Sequence, residues 1–145
     1  MRVADRMWRS DHSLTVDQAV LAAEAASSKT LEPTVVIDVG DLIAITDYFV
    51  IASGTNDRQV RAVAEEVEHR VKAASGISPR RVEGLDDLRW VLMDYGDFVV
   101  HVFHAEARAY YDLERLWGDA PRLEWQSEDG TARIWSPVPV PSGKA

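Results

Sequence analysis

The stretch RWVLMDYGDFVVHVF, residues 89–103, decides how this chain folds. Two apolar runs rich in Val, Phe and Met flank the tetrapeptide Asp-Tyr-Gly-Asp. Branched and aromatic side chains suit a pleated strand, and Gly beside Asp suits a reverse turn. The segment therefore predicts strands over 89–94 and 98–103, joined by a two-residue turn at Tyr95 and Gly96. In that register Asp94 faces Asp97, Leu92 faces Val99, Trp90 faces His101 and Leu88 faces Phe103. Alternation then puts Trp90, Leu92, Asp94, Asp97, Val99 and His101 on one face, with Val91, Met93, Phe98, Val100, Val102 and His104 on the other. The second set is more uniformly apolar and is expected to meet helices. The first mixes indole, imidazole, aliphatic and carboxylate groups, as a partly exposed contact face would.

Outward from this hairpin, helical and strand periods alternate. Before it, Asn56 or Asp57 can cap a helix running to about Ser75, with Val60, Val63, Ala64, Val67 and Val71 on one stripe and Gly76 as its stop. Further upstream come a short strand over 48–52 ending at Gly54, a buried β run over 35–39, and a helix over 16–28 capped by Thr15. Residues 81–83 supply one more short strand. After the hairpin an amphipathic helix follows, in which Tyr110, Leu113 and Leu116 or Trp117 take core spacing and Tyr111 and Glu114 lie nearer solvent. Strands alternating with helices, plus one antiparallel pair, predict an α/β fold whose mixed β-sheet is packed with helices. Residues 14–119 are expected to form the domain, 1–13 a flexible leader, and 120–145, with four of the six prolines, a flexible tail.

Bulk composition narrows the function. The chain has 145 residues, 46% of them hydrophobic, enough for one ordinary core. Cysteine is absent, which excludes disulfides and thiolate metal sites and fits a cytoplasmic setting. No apolar run reaches the ~20 residues that span a bilayer, so no membrane association is expected. The net charge of −8 disfavours phosphate backbones, so little direct nucleic-acid binding is expected, and a basic protein surface would attract the chain.

Residues that could carry chemistry do not converge. The turn from Ser53 to Asn56 opens a helix and could cradle a phosphate, which leaves a nucleotide-binding or nucleotidyltransferase enzyme as the alternative reading. No strand, however, carries the paired carboxylates that would hold a metal for such transfer. His101 and His104, three apart on a strand, point to opposite faces, and His104 with Glu106 lacks a third ligand. Nucleophile elbow, phosphate loop and dinucleotide fingerprint are all missing. The expectation is therefore no catalytic residues, no metal and no cofactor. Trp90 and Tyr111 at the edge of an acidic segment have the anatomy of a binding hot spot, and their spacing suits ordinary half-buried packing equally well.

Four motifs together resemble the ribosomal silencing factor family, also called Iojap or RsfS. They are ITDYFVIASGTNDRQV (45–60), VEG (82–84), RWVLMDYGDFVVHVF (89–103) and RAYYDLERLWGD (108–119). The resemblance implies a nucleotidyltransferase-like topology lacking catalytic carboxylates. It implies a homodimer that binds the large ribosomal subunit through ribosomal protein L-fourteen, blocks subunit joining and lowers translation when nutrients are scarce. By matched position it makes Trp90, Tyr95 and Tyr111 partner contacts, with Asp94, Asp97, His101 and Glu83 near them. Between residues 83 and 97 five acids face one base, a local charge of −4, which suits a basic ribosomal protein.

Overall fold

A computed structural model describes residues 12–125 and 132–135. Among them, helix α1 (His12–Ser27) leads into strands β1 (Val35–Asp38) and β2 (Tyr48–Gly54), then helix α2 (Asp57–Ser75). Strands β3 (Arg81–Glu83), β4 (Trp90–Asp94) and β5 (Phe98–His104) follow, then two short helices, α3 (Ala105–Tyr111) and α4 (Leu113–Leu116). Strands β6 (Arg122–Trp125) and β7 (Ala132–Trp135) close the order. The strands form one sheet in the order β3-β4-β5-β2-β1-β6-β7. Only β2 and β5 pair in parallel; the other five neighbours are antiparallel, so the sheet is mixed as expected.

Local chemistry sets the ends of α2. The Asn56 side chain accepts from the Gln59 N–H at 2.8 Å, and the Gln59 side chain accepts from the Thr55 N–H at 2.8 Å. This reciprocal cap satisfies donors that the first turn leaves free. At the other end Gly76, at φ 79°, donates to the Lys72 carbonyl. All five stripe residues, Val60, Val63, Ala64, Val67 and Val71, are buried. Burying each valine is worth ~1.5–3 kcal/mol, so this stripe fixes the rotation of α2 about its axis. Beside it lies α1, whose alanines at 19, 22, 23, 25 and 26 are all buried and allow close approach to β2 and α2. Thr15 does not cap α1: the helix begins at His12 and Thr15 is buried within it.

The hairpin register differs from expectation by two residues. Trp90 pairs with Phe103, Leu92 with His101 and Asp94 with Val99. Tyr95 donates its N–H to the Phe98 carbonyl at 3.0 Å, which leaves Gly96 and Asp97 as the turn. Gly96 has φ 89°, so a glycine-first turn is selected over one led by Tyr95, whose side chain would be strained there. The Asp94 carboxylate accepts from the Gly96 N–H at 2.8 Å and reinforces the choice. A shift of two preserves the alternation, so both predicted faces survive. Val91, Met93, Phe98, Val100 and Val102 do pack in the core with α1 and α2.

Residues 122–125 and 132–135 were expected in a flexible tail but are the paired strands β6 and β7 instead. Ile37 of β1 pairs with Arg122, and Leu123 is buried in the main core. The sheet therefore extends past residue 119, because β1 would otherwise present an unpaired edge. Residues 1–11, 126–131 and 136–145, where the rest of the leader and tail was expected, lie outside the described residues.

Candidate functional site

The face of the sheet away from α1 and α2 is only partly covered. There α3 and α4 bury Ala107 and Leu113 against Ile37, Phe49, Ile51 and Phe103, forming a second, smaller core. Trp90, Val99, Ile43 and Trp117 are partly buried at its margin, and Leu92 is half-buried beside His101.

An aromatic cluster organises this face. The Trp90 ring lies 4.9 Å from Phe103, 4.8 Å from Tyr111 and 5.9 Å from His101, centroid to centroid. Its indole Nε1–H donates to His101 Nδ1 at 3.1 Å. His101 is 4% exposed, with Phe49 against it at 4.6 Å in a T-shaped contact. Trp117 in turn meets Phe49 at 5.6 Å. Burial pushes the His101 pKa down from 6.5 to about 4, because charging an imidazole away from water is costly. His101 is thus neutral at pH 7, and its role as acceptor at Nδ1 puts the ring proton on Nε2.

Tyr111 packs against Trp90 at a 47° tilt yet remains 51% exposed, and Tyr110 meets Tyr111 edge-on at 5.1 Å while 82% exposed. Core spacing had assigned Tyr110, and either Leu116 or Trp117, to the interior; Tyr110 and Leu116 (74%) are exposed, whereas Trp117 is partly buried against the second core. The cause is a break in the helix. Asp112 adopts φ 51°, ending α3 and starting α4, so a single 3.6-residue period does not run through. Leu113 is buried as expected.

Arg108 holds that elbow. Its guanidinium pairs with Glu114 through two bonds of 3.2 and 2.8 Å, donates to Ser53 Oγ at 2.9 Å, and also donates to the Pro33 carbonyl. Such a forked pair is directional as well as strong, and it fixes α3 and α4 over the end of β2. His104 has a different duty from metal binding: its Nδ1 accepts from the Glu106 N–H and caps α3. Among the described residues no group of three or more His, Asp or Glu is placed to hold a metal.

The predicted site residues separate into three groups. Trp90 and Tyr111 come together on the aromatic face. Asp94, Asp97 and Glu83 ring the sheet near the hairpin. Asp94 is within 3.6 Å of Arg80 and 4.0 Å of Arg81, Glu83 is 3.0 Å from Arg81, and Asp97 is exposed at the turn. Extending the window back to residue 80 adds two arginines and reduces its charge from −4 to −2. The uncompensated acids are therefore Asp86, Asp87 and Asp97, all exposed. Tyr95 and His101 form the third group and are not surface contacts. Tyr95 is 8% exposed, packed on Phe98 at 4.6 Å on the opposite, helix-covered side of the sheet. His101 lies behind Trp90. Sequence reasoning missed Phe103, Phe49 and Arg108; a hairpin led by Gly96 would have put Phe103 beneath Trp90.

A family profile described as "Ribosomal silencing factor during starvation" matches residues 11–138. The chain belongs to the ribosomal silencing factor family. The ribosomal silencing factor of Bacillus subtilis is 46% identical over 101 residues, covering 70% of this chain and 85% of that protein. That of Halalkalibacterium halodurans is 46% identical over 104 residues, covering 72% and 88%. A crystal structure from Chromobacterium violaceum superposes with a TM-score of 0.64 at 38% identity, over 68% of this chain and 81% of that one. Membership in the ribosomal silencing factor family supports a role in ribosome silencing. No described helix is long and apolar enough to cross a membrane.

Proposed function

We propose that this chain represses translation under nutrient limitation by occupying the large ribosomal subunit. It docks on ribosomal protein L-fourteen and sterically blocks joining of the small subunit. In this reading the protein is a cytoplasmic homodimer that needs no turnover, cofactor or metal, and a nucleotidyltransferase-like frame serves as a docking surface. The observation that carries it is Tyr111, half exposed and packed at a tilt against a Trp90 already fixed from behind. Rigid aromatic groups bury large areas at small entropic cost, and such anchors commonly contribute ~2 kcal/mol or more each. Asp86, Asp87 and Asp97, with Glu83 and Asp94 beside them, speed encounter with a basic partner.

Sucrose-gradient sedimentation of purified subunits tests the reading. Stoichiometric protein should co-migrate with large subunits and reduce the joined-ribosome peak; unchanged joining would refute it. The nucleotide alternative draws on an open hollow at the start of α2, bounded by Thr55, Asn56, Asp57, Arg58 and His104. Two backbone donors there are already spent, the Gln59 N–H on Asn56 Oδ1 and the Thr55 N–H on Gln59 Oε1, while Ser53 Oγ accepts from Arg108. The Asp57 carboxylate would also oppose a phosphate. Saturable heat on titrating a nucleoside triphosphate with magnesium would revive that alternative.

A further inference from the structure

We infer that His101 is a positioning residue, a neutral hydrogen-bond acceptor that sets the orientation of the Trp90 ring on the docking face. The inference rests on the proposed docking role of that face, and part of its test is independent of it. The geometry is specific. The Trp90 ring packs on Phe103 and Tyr111, apolar contacts that do not by themselves direct its N–H. Its Nε1–H has one partner within reach, His101 Nδ1 at 3.1 Å, two residues away along the paired strand. The imidazole cannot turn to follow the indole, because Phe49 meets it at 4.6 Å and Phe103 lies parallel to it at 6.3 Å. Tyr111, half exposed, then packs on the indole at a 47° tilt.

The arrangement is a stack built outward from an immobile base, with each ring held by the one beneath. It also explains why a histidine occupies a site enclosed by aromatic rings. A phenylalanine there would pack equally well and offer Trp90 no acceptor. Among the described residues His101 Nε2 has no hydrogen-bond partner, so the side chain forgoes one bond in the interior and keeps the one to Trp90. Buried polar groups left half-satisfied are costly, and this one is retained where a directional contact to the exposed anchor results.

Nitrogen NMR on the free protein reads the base of the stack without any ribosome. His101 should show the tautomer protonated at Nε2, and the Trp90 indole N–H should exchange slowly, with a through-bond coupling to His101 Nδ1. Two substitutions separate acceptor from packing. In His101→Asn the amide oxygen takes the place of Nδ1; in His101→Leu no acceptor remains. His101→Leu should speed Trp90 indole exchange and weaken large-subunit binding by ~tenfold, while His101→Asn stays within ~threefold of the parent in both. Equal losses in the two variants would mean packing alone and would overturn the inference. So would an Nδ1-protonated tautomer in the parent, a result still available if His101→Leu does not fold. If the NMR signatures hold but the parent protein ignores large subunits, the docking reading fails and the positioning role stands.

Discussion

The two faces of the sheet use aromatic and aliphatic side chains to different ends. The face under α1 and α2 is closed: Val91, Met93, Phe98, Val100 and Val102 meet the stripe of α2, and the interior is mostly aliphatic. Among the described residues the opposite face has only α3 and α4 as helices over it, eleven residues between them. They cannot span seven strands, and aromatic rings meet one another at a tilt or edge-on from the buried His101 out to the exposed Tyr110. A closed face stabilises; an unfinished one is available to a partner.

The largest effect should come from opening the closed face. Phe98 is fully buried against Tyr95 and the helices. Phe98→Ala should cost ~3–5 kcal/mol, read as a lower urea midpoint at unchanged slope. Binding per folded molecule should be unchanged, since the aromatic face is on the other side of the sheet. A folded Phe98→Ala protein with normal stability would mean that the helix-side core is not where stability resides.

His101 connects the faces to pH. Its folded pKa of about 4 lies below the ordinary 6.5, so between these values the unfolded chain binds a proton that the native one does not. Stability is therefore full above about pH 6.5 and falls as pH drops toward 4, below which the contribution is spent. The shift corresponds to ~3 kcal/mol. Chemical denaturation at a series of pH values should show this loss in the parent and a shallower one in His101→Asn, the difference removing the carboxylates common to both. Identical pH profiles would place the imidazole in a far wetter setting than the structure gives it.

Opening the unfinished face should alter binding more than stability. Trp90→Ala with Tyr111→Ala should reduce large-subunit binding by ~100-fold, equivalent to ~2.7 kcal/mol, because both anchors are lost. The stability cost should be smaller than for Phe98→Ala, as Trp90 is half-buried and Tyr111 half-exposed. Undiminished co-sedimentation of the double variant would move the docking surface elsewhere on the molecule.

Which parts of this contrast were legible follows from the length of each signal. The α2 stripe repeats over about three turns and its caps are local, so sequence alone placed Val60 through Val71 correctly. Strand alternation survived a wrong turn because a slip of two residues returns every side chain to its own face. What failed depended on one torsion angle or on distant partners. The positive φ of Gly96 set the true register and brought Phe103 under Trp90. The left-handed Asp112 broke the last helix and reversed Tyr110 and Tyr111. Arg108 was unreadable as a latch because Ser53 and Pro33 lie far back in the chain. Strand β6 was hidden in a proline-rich stretch whose pairing with β1 is non-local. The pairing of Trp90 and Tyr111 as a candidate contact came through the family resemblance, and the structure supplies their direct ring contact.

Tyr95 gives the smallest expected effect and the sharpest test of which face is which. Resemblance put it with the partner contacts, whereas its ring is buried beside Phe98 on the helix side. Burial pushes its phenol above the usual tyrosine range, with Glu68 adding to the shift, so the group stays neutral. Its hydroxyl has no hydrogen-bond partner among the described residues. An unsatisfied buried hydroxyl opposes folding, so deleting it by Tyr95→Phe should leave stability unchanged or raise it by up to ~1 kcal/mol. Large-subunit binding should match the parent, because the sheet separates this ring from Trp90. A clear binding loss with intact stability would show that a partner reaches the hairpin from the helix side. The contact surface would then wrap the end of the sheet at Gly96 and Asp97, with the aromatic face as only one part of it.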